Sequence, residues 1–123
     1  MSPHRRFYPA RVVRIVDGDT LEVECDLGMG ISRRVTCRLL GVDTHETYGV
    51  SHDSAEYRHG KREEQFVRGW VTEGATMSTD DHPFEIRITG KGKYGRHLAE
   101  LERDDGAILT DDLVDEFGDP IVN

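Results

Sequence analysis

Hydrophobic and polar positions alternate through most of the first third of the chain. Tyr8 to Val16 reads YPARVVRIV, a β-branched run interrupted by arginine, and predicts a strand. Asp17-Gly18-Asp19 is a turn signal. Leu21, Val23 and Cys25 then alternate with Glu22, Glu24 and Asp26, the period of a half-buried strand. Leu27 to Ser32, with Gly28 and Gly30, predicts a hairpin turn, and Val35, Cys37 and Leu39 alternate with Arg34, Thr36 and Arg38. These segments predict a three-stranded antiparallel meander. With the hairpin centred on Gly30, Cys25 is expected opposite Val35 and Cys37 opposite Val23. The two thiols then lie on a diagonal whose Cβ atoms are about 7 Å apart, too far for an unstrained disulfide.

Residues 43–59 show no period and predict a long loop of the kind that carries function. From Gly60 to Glu73 the apolar residues Phe66, Val67, Trp70 and Val71 fall on one face of a helix, with Gly74 expected as its C-cap. Phe84–Thr89 and His97–Leu101 predict two more strands, joined by a Gly/Lys loop. A short helix follows, with Thr110 expected as N-cap, Asp111 and Asp112 favourable to the helix dipole, and Gly118 and Pro120 as stops. The order β-β-β-α-β-β-α, with strands too close together for βαβ crossovers, predicts a small antiparallel barrel with helices appended. It predicts an α+β fold: one domain over residues 1–123, a five-stranded Greek-key barrel of the OB type with two appended helices.

Length supports this reading, since 123 residues can bury a core without disulfides or a structural metal. No run approaches the roughly 18 apolar residues of a membrane helix, and the N-terminus lacks the apolar stretch of a secretory signal. A cytoplasmic or virion-associated protein is therefore expected, with no membrane partner and no obligate protein partner inferable. The net charge is −8, unevenly divided. Residues 1–62 hold 10 Lys/Arg against 9 Asp/Glu, and residues 63–123 hold 6 against 15. A uniformly basic nucleic-acid binder is excluded, whereas a local basic site in the first half is not. The acid-rich balance, with 13 Arg and 3 Lys, suits halophilic adaptation, because salt screens the net repulsion; an acidic, arginine-preferring proteome would produce the same composition.

Asp19, Asp43 and Glu46 stand at a turn and just after a strand, where carboxylates of neighbouring strands can converge on a hard cation such as Ca²⁺. Each taken alone is an ordinary turn acid. Arg38 and Arg96 carry planar forks that grip phosphate oxygens in pairs, or are plain surface charge. His52, Asp53 and His59 match no zinc spacing. Tyr48, Tyr57 and Arg58 could stack on bases or line a solvated loop.

Three blocks in order, VDGDT (Val16–Thr20), RLLGVDTHET (Arg38–Thr47) and KYGR (Lys93–Arg96), give the chain a resemblance to the staphylococcal nuclease (thermonuclease) family. The family forms are DGDT, RLxxVDTPET and DKYGR, and the likeness spans roughly residues 9–118. The resemblance implies an OB barrel with helices and a Ca²⁺-dependent hydrolase that cleaves DNA and RNA to 3′-phosphates with little sequence preference. It implies Asp19, Asp43 and the Thr44 carbonyl as metal ligands, with Asp17 an acid behind them. It further implies Glu46 as the base or orienter of the attacking water, Arg38 and Arg96 as phosphate clamps, and Lys93 and Tyr94 as nucleotide-pocket residues. The chain departs from the pattern at His45, where the family has proline, and at Gly92, where it has an acid. The first hairpin is longer, and the family's third, C-terminal helix is expected to be missing. A different class of function stays open: a non-catalytic OB module that binds nucleic acid or docks into a larger assembly such as a virus particle.

Overall fold

A computed structural model describes residues 7–42, 44–45, 49–91 and 95–118. Five strands close into a barrel: β1 (Phe7–Asp17), β2 (Thr20–Gly28), β3 (Ile31–Leu39), β4 (Phe84–Lys91) and β5 (His97–Glu102), in the order β1-β2-β3-β5-β4. β4 returns to pair with β1, and the expectation of a wholly antiparallel barrel is corrected: the β3–β5 ladder that closes the barrel is parallel, because α1 and β4 intervene and bring β5 back in the direction of β3, while all other ladders are antiparallel. With α1 (Ala55–Thr76) between β3 and β4 and α2 (Leu109–Phe117) after β5, this is the expected α+β OB-type barrel with two helices. Closure removes the unpaired sheet edges that an open five-stranded sheet would expose.

The barrel interior holds the predicted alternating residues, including Leu21, Val23, Cys25, Cys37, Leu39, Ile86, Ala99 and Leu101. The expected hairpin register is corrected. Cys37 faces Leu21 and Cys25 faces Arg33, so the ladder centres on Met29 and not on Gly30. The cause is a bulge between Asp26 and Gly28, where the Asp26 carboxylate accepts the Gly28 N–H at 2.8 Å. Gly28, Met29 and Gly30 all take positive φ, and glycine supplies two of these three conformations without strain. A slip of two residues preserves the side-chain parity, so both cysteines remain buried and are free thiols. Burial pushes the Cys37 thiol up to about 12, with the neighbouring Cys25 adding to the effect.

Helix α1 begins five residues before the expected Gly60. Ser54 is its N-cap, its hydroxyl accepting the Tyr57 N–H at 3.1 Å, so part of the expected loop is helical. Gly74 is not a C-cap but a buried helical residue, because a Cβ there would come within 2.6 Å of the Phe84 ring. Thr110 likewise lies inside the first turn of α2, with Ile108 at the N-cap. Phe84 stacks on Trp70 with ring centroids 5.8 Å apart, and Trp70 Nε1 donates to Asp112 of α2 at 2.8 Å. Phe66 meets Phe117 edge to face at 5.7 Å. These contacts fix both helices to one another and to the barrel, and Glu63 shares the buried side of α1 with Val67 and Trp70. Neither described helix is long and apolar enough to cross a membrane.

Candidate functional site

The DGD turn between β1 and β2 comes together with the end of β3 and the residues that follow it. Asp17 closes β1 and its carboxylate accepts the Asp19 N–H at 3.1 Å, the usual way an aspartate holds a turn. The Asp19 carbonyl accepts the Leu39 N–H at 2.8 Å, and the Leu40 N–H reaches the Ala99 carbonyl of β5 at 3.0 Å. Gly18 approaches Thr44 so closely that a Cβ would sit 2.8 Å from the Thr44 methyl. A side chain at position 18 would therefore push Thr44 away from Asp19.

Asp19 is the centre of this arrangement and is 7 % exposed. One carboxylate oxygen accepts the Thr44 N–H at 2.9 Å and pairs with the Arg38 guanidinium at 3.3 Å. The other accepts the Thr20 hydroxyl at 3.0 Å. Arg38 also donates to the carbonyls of Leu39 and Val42, which aims its fork along the segment leaving β3. Burial, then the hydrogen bond and charge of Asp19, push the Asp17 carboxyl up to about 7. Burial opposes ionisation of Asp19 too, but the hydrogen bond from Asp17, the Arg38 charge and the Thr44 and Thr20 donors hold it below the usual carboxylate range. The two carboxyls thus hold one proton between them in a partly buried turn, with nitrogen donors from Arg38, Thr44 and the Asp19 backbone beside them.

Of the residues singled out in the sequence, Asp17, Asp19, Arg38 and Thr44 are brought together here. Asp43, Glu46, Lys93 and Tyr94 lie outside the described residues. Arg96 precedes β5 by one residue. The parallel register sets Arg38 beside Leu98, two residues beyond Arg96. His52 stacks on Tyr57 at 4.4 Å, while His59 lies against His45 at 5.1 Å. Among the described residues, no group of three His, Cys, Asp or Glu is placed to hold a metal ion.

Glu63 was not singled out by the sequence reasoning. It is 2 % exposed and its carboxylate accepts the His45 N–H at 2.8 Å and lies 3.0 Å from His45 Nδ1. The bond ties the segment after β3 to α1, next to Thr44. Its sequence signal is positional: Glu63, Val67, Trp70 and Gly74 fall on one helical stripe, and an acid on an otherwise apolar stripe implies a buried partner.

Asp19, Asp17 and Thr44 offer hard oxygen donors only, and a pair of carboxyls in contact is relieved of its repulsion by a divalent cation as well as by a proton. These are donor types a hard cation takes, and among the described residues the charge of Asp19 is balanced by Arg38. No protein-family model matches the chain, and no curated protein matches it.

Proposed function

We propose that the protein is a Ca²⁺-dependent phosphodiesterase that hydrolyses DNA and RNA with little sequence preference, as its resemblance to the thermonuclease family implies. The observation that carries this reading is the Asp19–Arg38 pair at 3.3 Å, seated against Asp17 and Thr44. A guanidinium beside a carboxylate supports it, since in this reading the first takes a phosphate oxygen and the second a cation.

In this reading Asp19, Asp43 and the Thr44 carbonyl hold the ion, with Asp17 behind them. A bound Ca²⁺ supplies positive charge to a phosphate oxygen and lowers the cost of charge building there. Arg38, held by the Leu39 and Val42 carbonyls and by Asp19, would turn its guanidinium charge toward the phosphate, with Arg96 as the second phosphate clamp. Glu46 accepts or orients the proton of the attacking water. Lys93 and Tyr94 line the nucleotide pocket. Glu63 holds His45, and so steadies the backbone that carries Thr44 and Glu46.

Plasmid and RNA digestion with Ca²⁺ and with EDTA tests the reading. Cleavage with Ca²⁺, its loss in EDTA and its loss in Asp19→Ala are expected, as is a fall of about 10² or more in turnover for Glu46→Gln. Equal cleavage in EDTA by the wild type and Asp19→Ala would overturn the metal-dependent mechanism. The second reading, a barrel that binds nucleic acid or docks into an assembly without catalysis, is favoured by one observation: Asp19 is already satisfied by Arg38, Thr44 and Thr20. Retention of oligonucleotide with no cleavage at any Ca²⁺ concentration would select it.

A further inference from the structure

The β3–β5 ladder spans only three pairs, from Cys37–His97 to Leu39–Ala99. Before Cys37 the strands part: β3 continues as one arm of the long hairpin with β2, whereas the chain ahead of His97 turns away at Gly95. The gap is an open cleft of about 590 Å³ lined by Arg33, Arg34, Val35, Thr36, Gly95, Arg96 and His97. In a chain of net charge −8, three arginines and a histidine line this cleft and no acid does, among the described residues. Lys91 pairs with His97 across the β4–β5 ladder and adds a fourth cation near the three arginines, while burial, Arg33 and Lys91 hold His97 below its usual range and so neutral. Arg34 reaches the half-buried Glu22 and Glu24 only at 3.8 and 4.0 Å, and itself stays more than half exposed. His97 Nδ1 is buried without a hydrogen-bond partner among the described residues.

We propose that this cleft binds the phosphate backbone of a single nucleic-acid strand, with Arg33 and Arg34 as phosphate contacts beyond those of Arg38 and Arg96. The proposal rests on the nuclease reading for its substrate class, since the same strand would run from the cleft along the outer face of β3 toward Arg38. Arg34, Thr36 and Arg38 share that face and lead from the cleft to the Asp19 site, with Glu24 and Glu22 of β2 opposite the first two, so the strand would follow the β3 side of the ladder away from β2. The volume is that of a pocket for one small molecule, which suits a short stretch of one strand and not a duplex. With no Phe, Tyr or Trp among the described lining residues, binding is carried by phosphate more than by base identity.

The test is the anisotropy of a labelled oligo(dT) of about 12 nucleotides, titrated in EDTA over a range of salt, where binding is read without cleavage. Each phosphate contact on a single strand contributes about −0.7 to the slope of log K against log salt. Arg33→Ser/Arg34→Ser is expected to flatten the slope by about 1.4 and to weaken binding about tenfold at 0.15 M salt. Lys61→Ser/Arg62→Ser removes the same charge from the basic turn of α1 and is expected to leave the slope unchanged. Thermal melts of both variants confirm that the barrel is intact. An unchanged slope in the β3 variant, an equal loss in the α1 variant, or equally tight binding of a duplex of the same length would overturn the proposal. Binding in EDTA does not depend on turnover, so an inactive protein that loses affinity on Arg33→Ser/Arg34→Ser would refute the nuclease and leave the cleft standing. An active protein with an unchanged slope would do the reverse.

Discussion

Asp17→Asn is the most informative single change at the turn. Asparagine has the shape of a protonated aspartic acid: its carbonyl can still accept the Asp19 N–H, and its amide can donate toward the Asp19 carboxylate as the shared proton does. In the folded protein the Asp17 carboxyl is raised from 3.8 to about 7, through burial first and Asp19 second. Between those values the unfolded chain has released this proton while the folded chain keeps it, so stability falls as pH rises, and the full penalty is present above about 7. About three pH units at 1.36 kcal/mol each set a ceiling of about 4 kcal/mol. Asp17 is only half-buried, and solvent screening brings this to about 2 kcal/mol. Asp19, whose carboxyl is lowered, acts in the opposite sense and below this window, losing its contribution as pH falls under 3.8. The assay is a thermal melt of wild type and Asp17→Asn in EDTA from pH 4 to 8. The two should melt together near pH 4. At pH 8 the variant should melt higher by about 8 °C, taking about 4 °C per kcal/mol for a domain of this size. Millimolar Ca²⁺ should narrow that gap by stabilising the wild type more than the variant. Curves that run parallel from pH 4 to 8 would refute the shared proton.

Three further outcomes follow from the packing and the charge. Gly74→Ala should destabilise by up to about 2 kcal/mol in a urea melt, because overpacking against Phe84 outweighs the better helix propensity of alanine. Cys25 and Cys37 should be silent to a thiol reagent at pH 8 in the native protein and both react after unfolding, since burial keeps both thiols protonated. The melting temperature should rise from dilute buffer to molar salt, because seven acids between Asp104 and Asp119 have no base among them; a steady fall would contradict this.

The inward and outward faces of the strands were legible in the sequence because β side chains alternate strictly, and a shared face survives any slip of two residues. Leu21, Val23, Cys25, Cys37 and Leu39 were therefore assigned to the core even though the register of their hairpin differs from the one expected. The DGD turn was equally local, since Asp17 closes it with its own carboxylate. Register was decided by the bulge at Asp26 and by β3 pairing with β5 on its other edge, a contact between segments more than fifty residues apart. The helix ends depended on the fold as well. Gly74 looked like a stop signal, yet it is the point where α1 touches Phe84, and no local pattern announces a partner that distant. The same holds at the site. Asp17 and Asp19 are neighbours in the chain, but their unequal hold on a proton comes from burial, from Arg38 and from Thr44, which only barrel closure delivers to the turn. Residue type and short-range spacing determine which groups can do chemistry. Desolvation and long-range pairing determine what charge they carry, because both depend on atoms contributed by other parts of the chain.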